Sequence, residues 1–550
     1  MFFSPLPPQQ QDVRSLAAFR ILAGTYILYD IITRLQHGRL SLLYYTSTPA
    51  NASFFHPNDT PHKSPIHQIW FYRGSEMFQI LLFTLTFLLA LSFSLGYKCN
   101  VTTKTCLWLN IVAMQCRCMA VHDGSDSYFR HLLLWSIFLP LERVWSVDAW
   151  MMRNRRGKYE TRGEGNGTKE EARGGEEEEV INNVASCYIL EKELTIEALA
   201  IRLQIVLMYL GTVMNRTVDP YGYNPIRMFQ QCKWLPPQLT AVHYALSGSL
   251  ATRDIWLGNM VRTNPSISKI MTLAAMMIEG LAPILCLFVK ENHVYIPQFA
   301  LFQLHLGLFV LMNLPNWQMV GMIATTIFTP CWVWDKVQLK LALLYPNTFR
   351  QPGPVSLKKK DLAMGEESKS IKSTKKKRLL KPITYFLFGY MLYDFAGNRN
   401  WIRKIDSGDI GEGIRFSQFW VMYEGPPTTT SQVMLTGSLP NIEGDGVEEV
   451  NIWHWMKHNG DIQRINMTYF KTNDEIWTNF THVYPDARIE RAMNGWRMDI
   501  YRTKHFLRGM CQVTPFTEIS FTMQHLRILP PGSAQRYTRT ASDVETRVTC

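Results

Sequence analysis

Paired metal-ligating cysteines, hydrolase signatures and phosphate-binding loops are all missing from this sequence. Ten cysteines are spread over 550 residues without one CxxC pair, which excludes zinc ribbons and thioredoxin-type redox motifs. Cys116 and Cys118 stand one residue apart in an apolar segment, the wrong spacing for a zinc site. No nucleophile elbow, HExxH or Ser-His-Asp order occurs. Gly163, Gly165 and Gly167 follow no strand pattern and precede no helix pattern, so they are not a phosphate loop. There is no internal repeat. The composition has neither a collagen period nor the cysteine density of a disulfide scaffold, and 12% aromatic residues exclude global disorder. The net charge of +12 does not point to nucleic acid. Its densest run, 358–381, holds ten basic and three acidic residues but no aromatic ring on which a base could stack.

What is present is apolar residues in blocks. The chain is 47% hydrophobic and 19% charged, with a mean hydropathy close to zero. Those averages suit a globular enzyme, but they hide segments as long as a bilayer is thick. At about 20 apolar residues per crossing, about nine spans are predicted: 16–32, 77–97, 106–120, 128–144, 196–214, 270–289, 296–314, 319–333 and 383–396. The third, fourth and ninth are short or carry polar residues, so eight is the other count. The reading is a polytopic α-helical membrane protein with a tail at 1–13 and a membrane body over 14–335. A Gly/Glu/Arg-rich loop at 151–193 interrupts the body and reads as disordered. A basic linker at 336–381, a last span at 382–396 and a C-terminal α+β domain at 397–550 follow.

The basic run orients the chain. A solvated flexible loop is an equally simple reading of it and does not conflict with a cytoplasmic position beside anionic lipid. Counting nine spans from there puts the N-terminal tail and the 98–104 and 151–193 loops in the cytoplasm, each with Lys or Arg near the membrane. The 37–76 loop, the 217–265 loop and everything after 397 become lumenal. The sequon asparagines Asn51, Asn58, Asn466 and Asn479 then all lie on the lumenal side, where glycosylation occurs. Eight spans would break that agreement. Asn100 and Asn166 head sequons on the other side, patterns short enough to arise by chance. Residues 1–13 have no basic start and no small-residue cleavage site, so the first span is expected to act as a signal anchor. The endoplasmic reticulum or another endomembrane is the expected location.

Beyond 416 the periodicity changes. Segments 419–423, 432–435 and 518–523 alternate or are β-branched, Pro426-Pro427 and Gly444-Asp445-Gly446 signal turns, and 486–506 has a helical pattern. An antiparallel sheet is expected there. Cys232, Cys511 and Cys550 fall in regions assigned to the lumen, where disulfides form, and Cys232–Cys511 is the expected pair. His454 and His458 are spaced i, i+4 in an aromatic segment without an accompanying carboxylate, so packing fits them better than a metal, and no metal is expected.

Ionisable groups inside a bilayer are expensive and mark function by default. Arg20 and Asp30 share the first span ten residues apart, too far to pair along it, and must find partners elsewhere. Arg117 and His131 flank the third and fourth spans, and Arg202 and Gln204 open the fifth. Glu279 sits mid-way along the sixth, four residues before Pro283, whose missing N–H frees a carbonyl. His305 is central in the seventh. Singly, each fits a buried ion pair or hydrogen bond that braces the bundle. As a set they fit a shared polar cavity.

Specific strings resemble a known family. Ser15-Leu16-Ala17-Ala18-Phe19-Arg20 with Asp30 is similar to the first span of the HTTM membrane-domain family, which includes the vitamin K-dependent gamma-carboxylase. Asp126, Leu132-Leu133-Leu134-Trp135, Phe138-Leu139-Pro140-Leu141 and Trp145-Ser146-Val147-Asp148 continue the likeness. So do Arg202-Leu203-Gln204-Ile205 with Tyr209, Ala241-Val242-His243-Tyr244-Ala245-Leu246, Glu279, His305, Gly307 and Leu314-Pro315. Trp420-Val421-Met422-Tyr423 with Pro426-Pro427 resembles the start of that family's lumenal region. The match covers roughly 14–333 well and the C-terminal third loosely.

The resemblance implies an HTTM-like transmembrane body with a hydroquinone pocket opening to the lumen, and adds Asp126 and Tyr209 to the cavity residues Arg20, Asp30, Arg202, Gln204, Glu279 and His305. In the carboxylase, a lysine shortly after the fifth-span tyrosine deprotonates reduced vitamin K. Oxygen then converts the deprotonated hydroquinone to a base strong enough to remove a glutamate γ-proton before CO2 adds. Aligned on Tyr209, this sequence has Asn215 and Arg216 there, and arginine stays protonated in proteins. The nearest lysine is Lys233, after an apparent insertion at 217–232. Three readings follow: binding of a membrane lipid or a quinone in the cavity, an active carboxylase with reduced vitamin K as cofactor and Lys233 as base, or a structural or transport-like protein. No nucleic acid is expected as a partner, and the sequence names no protein partner.

Overall fold

The computed structural model describes residues 11–35, 75–117, 124–152, 195–248, 253–344, 367–404, 428–440, 447–452 and 514–550, less a few positions within these runs, together with isolated positions outside them that include 189–190 and 416–418. The chain is mostly helical, with a small sheet near the C-terminus. Five helices among the described residues are long and apolar enough to cross a membrane: α1 (Val13–Leu35), α2 (Glu76–Leu95, apolar from Met77), α5 (Ile196–Thr217), α9 (Pro265–Phe288) and α10 (Tyr295–Leu311), the last counted with the 3-10 turn that leads into it from Glu291. They coincide with five of the nine apolar blocks. Three others form shorter helices, α3 (Val101–Arg117), α4 (Gly124–Ser136) and α11 (Trp317–Thr325), and the last forms part of α13 (Glu367–Asn398), a 32-residue helix with Pro382 inside it. α4 gives way to turns at residue 137, ahead of Pro140, and α11 runs through a 3-10 turn to Pro330, where a missing N–H ends the ladder. α13 begins within the basic run rather than after it. Three short helices, α6 (Pro225–Gln231), α7 (Ala241–Ser247) and α8 (Trp256–Thr263), occupy the link between α5 and α9, and α12 (Cys331–Leu344) follows α11.

Local chemistry sets the helix ends. Gly96 closes α2 in the left-handed conformation, with its N–H on the Phe93 carbonyl and that of Tyr97 on the Ser92 carbonyl. α5 starts at Thr195, whose hydroxyl accepts from the Ala198 N–H, and α9 starts at Asn264-Pro265, where the asparagine accepts from Ser266 and Ile267. Asn100, the sequon asparagine of the α2–α3 turn, accepts from the Thr103 N–H.

The helices pack as a bundle around Phe19, Phe83, Trp135, Ile201 and Leu301, all buried. One end holds the start of α1, the α2–α3 turn and the start of α5, together with the two-residue strands β1 (Gln11–Asp12) and β2 (Ile189–Leu190), which pair antiparallel. The other holds the ends of α1, α5 and α13 and the start of α4. These are called the Arg14 end and the Arg216 end.

The sheet is antiparallel. It contains β3 (Thr429–Pro440), β4 (Val447–Asn451), β5 (Glu518–Ile528), β6 (Tyr537–Arg539) and β7 (Val544–Thr549), in the order β4-β3-β5-β6 with β7 also on β5. The alternating segments 432–435 and 518–523 lie in β3 and β5. Pairing of Glu518 with Thr549 carries Cys550 to the segment before β5, where it is disulfide-bonded to Cys511 at a Cα separation of 5.0 Å. This corrects the expected Cys232–Cys511 pair. Cys232 is buried at the Arg216 end, where its thiol donates to the Arg216 carbonyl at 3.3 Å. The sheet region docks on the helices through Tyr537, whose hydroxyl donates to the Ser247 carbonyl at 2.5 Å, and through His243, whose ring nitrogens lie 2.9 Å from the carbonyls of Arg262 and Leu529.

Candidate functional site

The polar residues do not gather in one cavity. They separate into clusters that α5 organises through its periodicity. Arg202, Tyr209 and Arg216 recur every seven residues, so they share a helix face and step about 10 Å apart along it. That face meets α9 and α10. Arg202, at the Arg14 end, donates to Gln11 Oε1 at 2.9 Å and lines a small cavity with Asp12, Glu291, Phe328 and Cys331. Tyr209, at mid-height, hydrogen-bonds His305 Nε2 on α10. Arg216 forms an ion pair with Glu279 on α9, both side chains nearly fully buried, and its guanidinium lies 4.4 Å from the Trp234 ring centroid.

His305 is held on both sides. Its ring lies flat against Gly321 of α11, at a distance no side chain there would permit. Its Nδ1 is buried and has no hydrogen-bond partner among the described residues. Glu279 is four residues before Pro283 inside α9, so its carbonyl also loses the usual helical donor.

A second face of α5 carries Gln204, Gly211 and Asn215 and meets α13. Arg399 donates to Asn215 Oδ1 at 2.6 Å and to the Gly211 carbonyl at 3.0 Å, and it pairs with Asp219. Gln204 and Gln418 exchange carboxamide hydrogen bonds of 2.7 and 3.1 Å. Asp394, fully buried in α13, accepts from the Gln418 N–H at 2.5 Å and from Lys404 at 2.7 Å.

Two of the expected cavity residues belong to a separate network at the Arg216 end. Arg34 donates to Asp30 at 2.8 Å and to Asp126 at 3.0 Å. Asn316 reaches Asp30 at 3.2 Å, Gln115 reaches Asp126 at 3.2 Å and Arg130 reaches Gln115 at 3.1 Å. Arg20 is also apart. It is fully buried near the Arg14 end and donates to the carbonyls of Leu141 at 3.2 Å and Trp145 at 2.5 Å, against Gly96.

Lys233 lies between α6 and α7, in the link from α5 to α9 and outside the long helices. Its backbone carbonyl accepts from the N–H groups of Thr240 and Ala241, and its ammonium sits 4.6 Å from the Tyr244 ring centroid. Burial lowers its pKa. The same link returns to the end of α5 through Cys232 and Trp234, which both touch Arg216. Asn51, Asn58, Asn466 and Asn479 lie outside the described residues, as do His454, His458 and 486–506 apart from the helical Lys504.

Arg34, Asp394 and Phe416 were not singled out from the sequence, and Arg216 was noted only for its place after Tyr209, not as the partner of Glu279. The seven-residue interval 202–209–216 could have found Arg216, and a carboxylate in the apolar block 383–396 could have found Asp394. Nothing local marks Phe416. No family model, curated protein or solved structure matches this chain.

Proposed function

We propose that this chain is a nine-span membrane protein of the HTTM, vitamin K-dependent carboxylase-like family, and that it binds a lipid-like or quinone ligand between α5, α9 and α10. In this reading the Arg14 end is cytoplasmic, while the Arg216 end and the C-terminal sheet are lumenal, in the endoplasmic reticulum or another endomembrane. The observation that carries the ligand site is the Tyr209–His305 pair. It is a buried hydroxyl–imidazole pair at mid-height of a membrane-length helix, with one ring nitrogen unpartnered among the described residues. An isolated polar atom in hydrocarbon costs about 1–3 kcal/mol, and a ligand oxygen on Nδ1 would recover it. The Arg216–Glu279 pair lies about 10 Å further along α5, so a ligand reaching both would be elongated and polar at two points.

The test is binding of menadione, a naphthoquinone, to the protein in nanodiscs, read by quenching of tryptophan fluorescence. His305→Ala is expected to weaken binding about tenfold or more, the equivalent of about one to two hydrogen bonds. Asp126→Asn, in the bracing network, is expected to lower stability with little change in affinity for the folded fraction. Unchanged binding by folded His305→Ala would sink the site.

A second reading, that the protein is an active carboxylase, is favoured by one feature. The 217–232 segment folds back on Arg216, and the next residue, Lys233, is a half-buried amine whose neutral form burial favours. Oxygen-dependent epoxidation of vitamin K hydroquinone in microsomes, abolished by Lys233→Ala, is the expected outcome under that reading. No turnover by folded wild-type protein removes it.

A further inference from the structure

Irregular backbone is found deep in the bundle. Phe416 and Gln418 are both fully buried and lie outside any helix or strand. Gln418 meets Gln204, which lies within about 4 Å of the middle of the 22-residue helix α5 along its axis. Phe416 meets Trp135, near the inner end of α4. Within a bilayer, backbone that is neither helix nor closed sheet leaves polar groups unsatisfied, so it persists only inside protein or where it lines a cavity. Here side chains supply that satisfaction for two backbone groups, the Phe416 carbonyl, which accepts from the Gln418 carboxamide at 3.4 Å, and the Gln418 N–H, and they hold the segment through two more contacts. The Gln418 N–H is on Asp394, the Ser417 hydroxyl reaches the same carboxylate at 3.4 Å, and the Gln418 carboxamide is on Gln204.

The Phe416 ring sits in an aromatic box. His131 and Trp135 meet it in T-shaped contacts, with centroid separations of 5.0 and 5.8 Å at interplanar angles of 88° and 72°, and Tyr390 closes a third side at 6.2 Å. At the floor, the Gln204 carboxamide has one N–H and one oxygen engaged by Gln418, with the Trp135 indole N–H 3.4 Å from that oxygen. A flat ring in an aromatic box beside a paired donor and acceptor has the chemistry of a binding site for a phenol or quinone. In this structure the chain's own side chains fill it.

We propose that residues 416–418 are a stopper in the ring-binding part of an intramembrane site, and that a phenol or quinone ring replaces Phe416 between His131, Trp135 and Tyr390 with one oxygen on the Gln204 carboxamide. This rests on the reading that the membrane body binds such a ligand, and it adds a second ring-binding position, on the α13 side of α5, to the one proposed at His305. Binding then releases the Gln418 N–H from Asp394. Because the occupied box must open first, the apparent affinity of the free protein is its intrinsic affinity reduced by the open fraction.

Two measurements on the full chain in nanodiscs test this with menadione as the probe. Saturating menadione should speed hydrogen exchange at the Gln418 amide of the wild-type protein, which needs no variant to fold. Phe416→Ala should bind menadione about tenfold or more tightly, and Phe416→Trp more weakly than wild type. If menadione binds and His305→Ala weakens it, yet the Gln418 amide stays protected and Phe416→Ala changes nothing, the stopper is overturned while the α9–α10 site stands. If neither wild type nor Phe416→Ala binds menadione, both are overturned.

Discussion

Replacing Gly321 by alanine is the sharpest probe of the His305 site. A methyl group at 321 would overlap Cε1, Nε2 and Nδ1 of His305, all ring atoms rather than the end of a flexible chain. The ring has nowhere simple to go, because Nε2 is tied to the Tyr209 hydroxyl and Trp317 lies 6.5 Å away on the same helix as Gly321. Overpacking a tight interior costs about 1–3 kcal/mol, and a ring pushed off Tyr209 also forfeits about 1 kcal/mol of buried hydrogen bond. The expected loss is therefore about 2–4 kcal/mol, which lowers the melting temperature by about 2–3 °C at about 2.1 cal/mol/K of unfolding entropy per residue over 550 residues. Detergent-solubilised protein followed by fluorescence size-exclusion after a temperature ramp reads this directly. The cycle with His305→Ala separates the clash from a general helix effect. Once the ring is gone the methyl has room, so Gly321→Ala in that background should cost less than about 0.5 kcal/mol. A wild-type melting temperature for Gly321→Ala, or full additivity with His305→Ala, would refute the packing argument.

Removing one partner of a buried ion pair strands the other, so Glu279→Gln or Arg216→Met alone should cost about 3–5 kcal/mol and depress expression, whereas the double change Glu279→Leu with Arg216→Met should be milder; equal losses in all three would deny the pairing. Cys511→Ser opens a loop closed over a sequence separation of 39 and should cost about 4 kcal/mol by the chain-entropy argument, read as faster proteolysis of the C-terminal region, while Cys232→Ser leaves the disulfide intact in a non-reducing peptide map. Burial raises the Cys99 thiol, in the α2–α3 turn, to about 11. A raised thiol pKa favours the neutral form, so Cys99 should resist maleimide at pH 7 to 8 and label only as pH approaches that value; labelling at neutral pH contradicts its burial. Trp256, exposed at the start of α8 and close in sequence to the start of α9, should be quenched by lipids brominated near the headgroup more than by those brominated at the tail end, and the reverse order would deny an interfacial position.

The sequence made the long apolar helices legible because bilayer length is a strong one-dimensional signal. Block 77–97 became α2 with little adjustment. The shorter blocks were less legible, because their ends depend on single residues such as Pro330 that a hydropathy average smooths over. The polar residues were legible as expensive, but their partners were not. Tyr209 and His305 are separated by 96 residues and Arg216 and Glu279 by 63, and no local pattern carries such pairings. Asp30 shows the opposite failure. Its arginine is one turn away on the same helix, at Arg34, but that residue fell just past the apolar block and Arg20 was weighed in its place. The disulfide was missed because three cysteines allow several pairings and strand register, unseen in sequence, chose Cys550.

Charge alone does not pick out a site inside a membrane body, since most of the charges here are matched. In the network at the end of α1, Asp30 and Asp126 face Arg34 and Arg130, with Gln115 and Asn316 between them, each in at least one hydrogen bond. A network of balanced charge with its members engaged has little left for a ligand and acts as a brace. Arg20, satisfying two carbonyls of the 137–145 turns, braces too. Two places differ. At His305 the ring keeps an unpartnered Nδ1 among the described residues and faces no carboxylate in its hydrogen bond to Tyr209, fixed by a neighbour without a side chain. At Phe416 an uncharged ring and a carboxamide pair are held at mid-height by contacts a ligand of the same shape could reproduce. Neither depends on breaking an ion pair, so a ligand could enter without the cost of about 3–5 kcal/mol that separating buried charges would impose. That cost is the reason for seeking the binding chemistry at these two places on either side of α5.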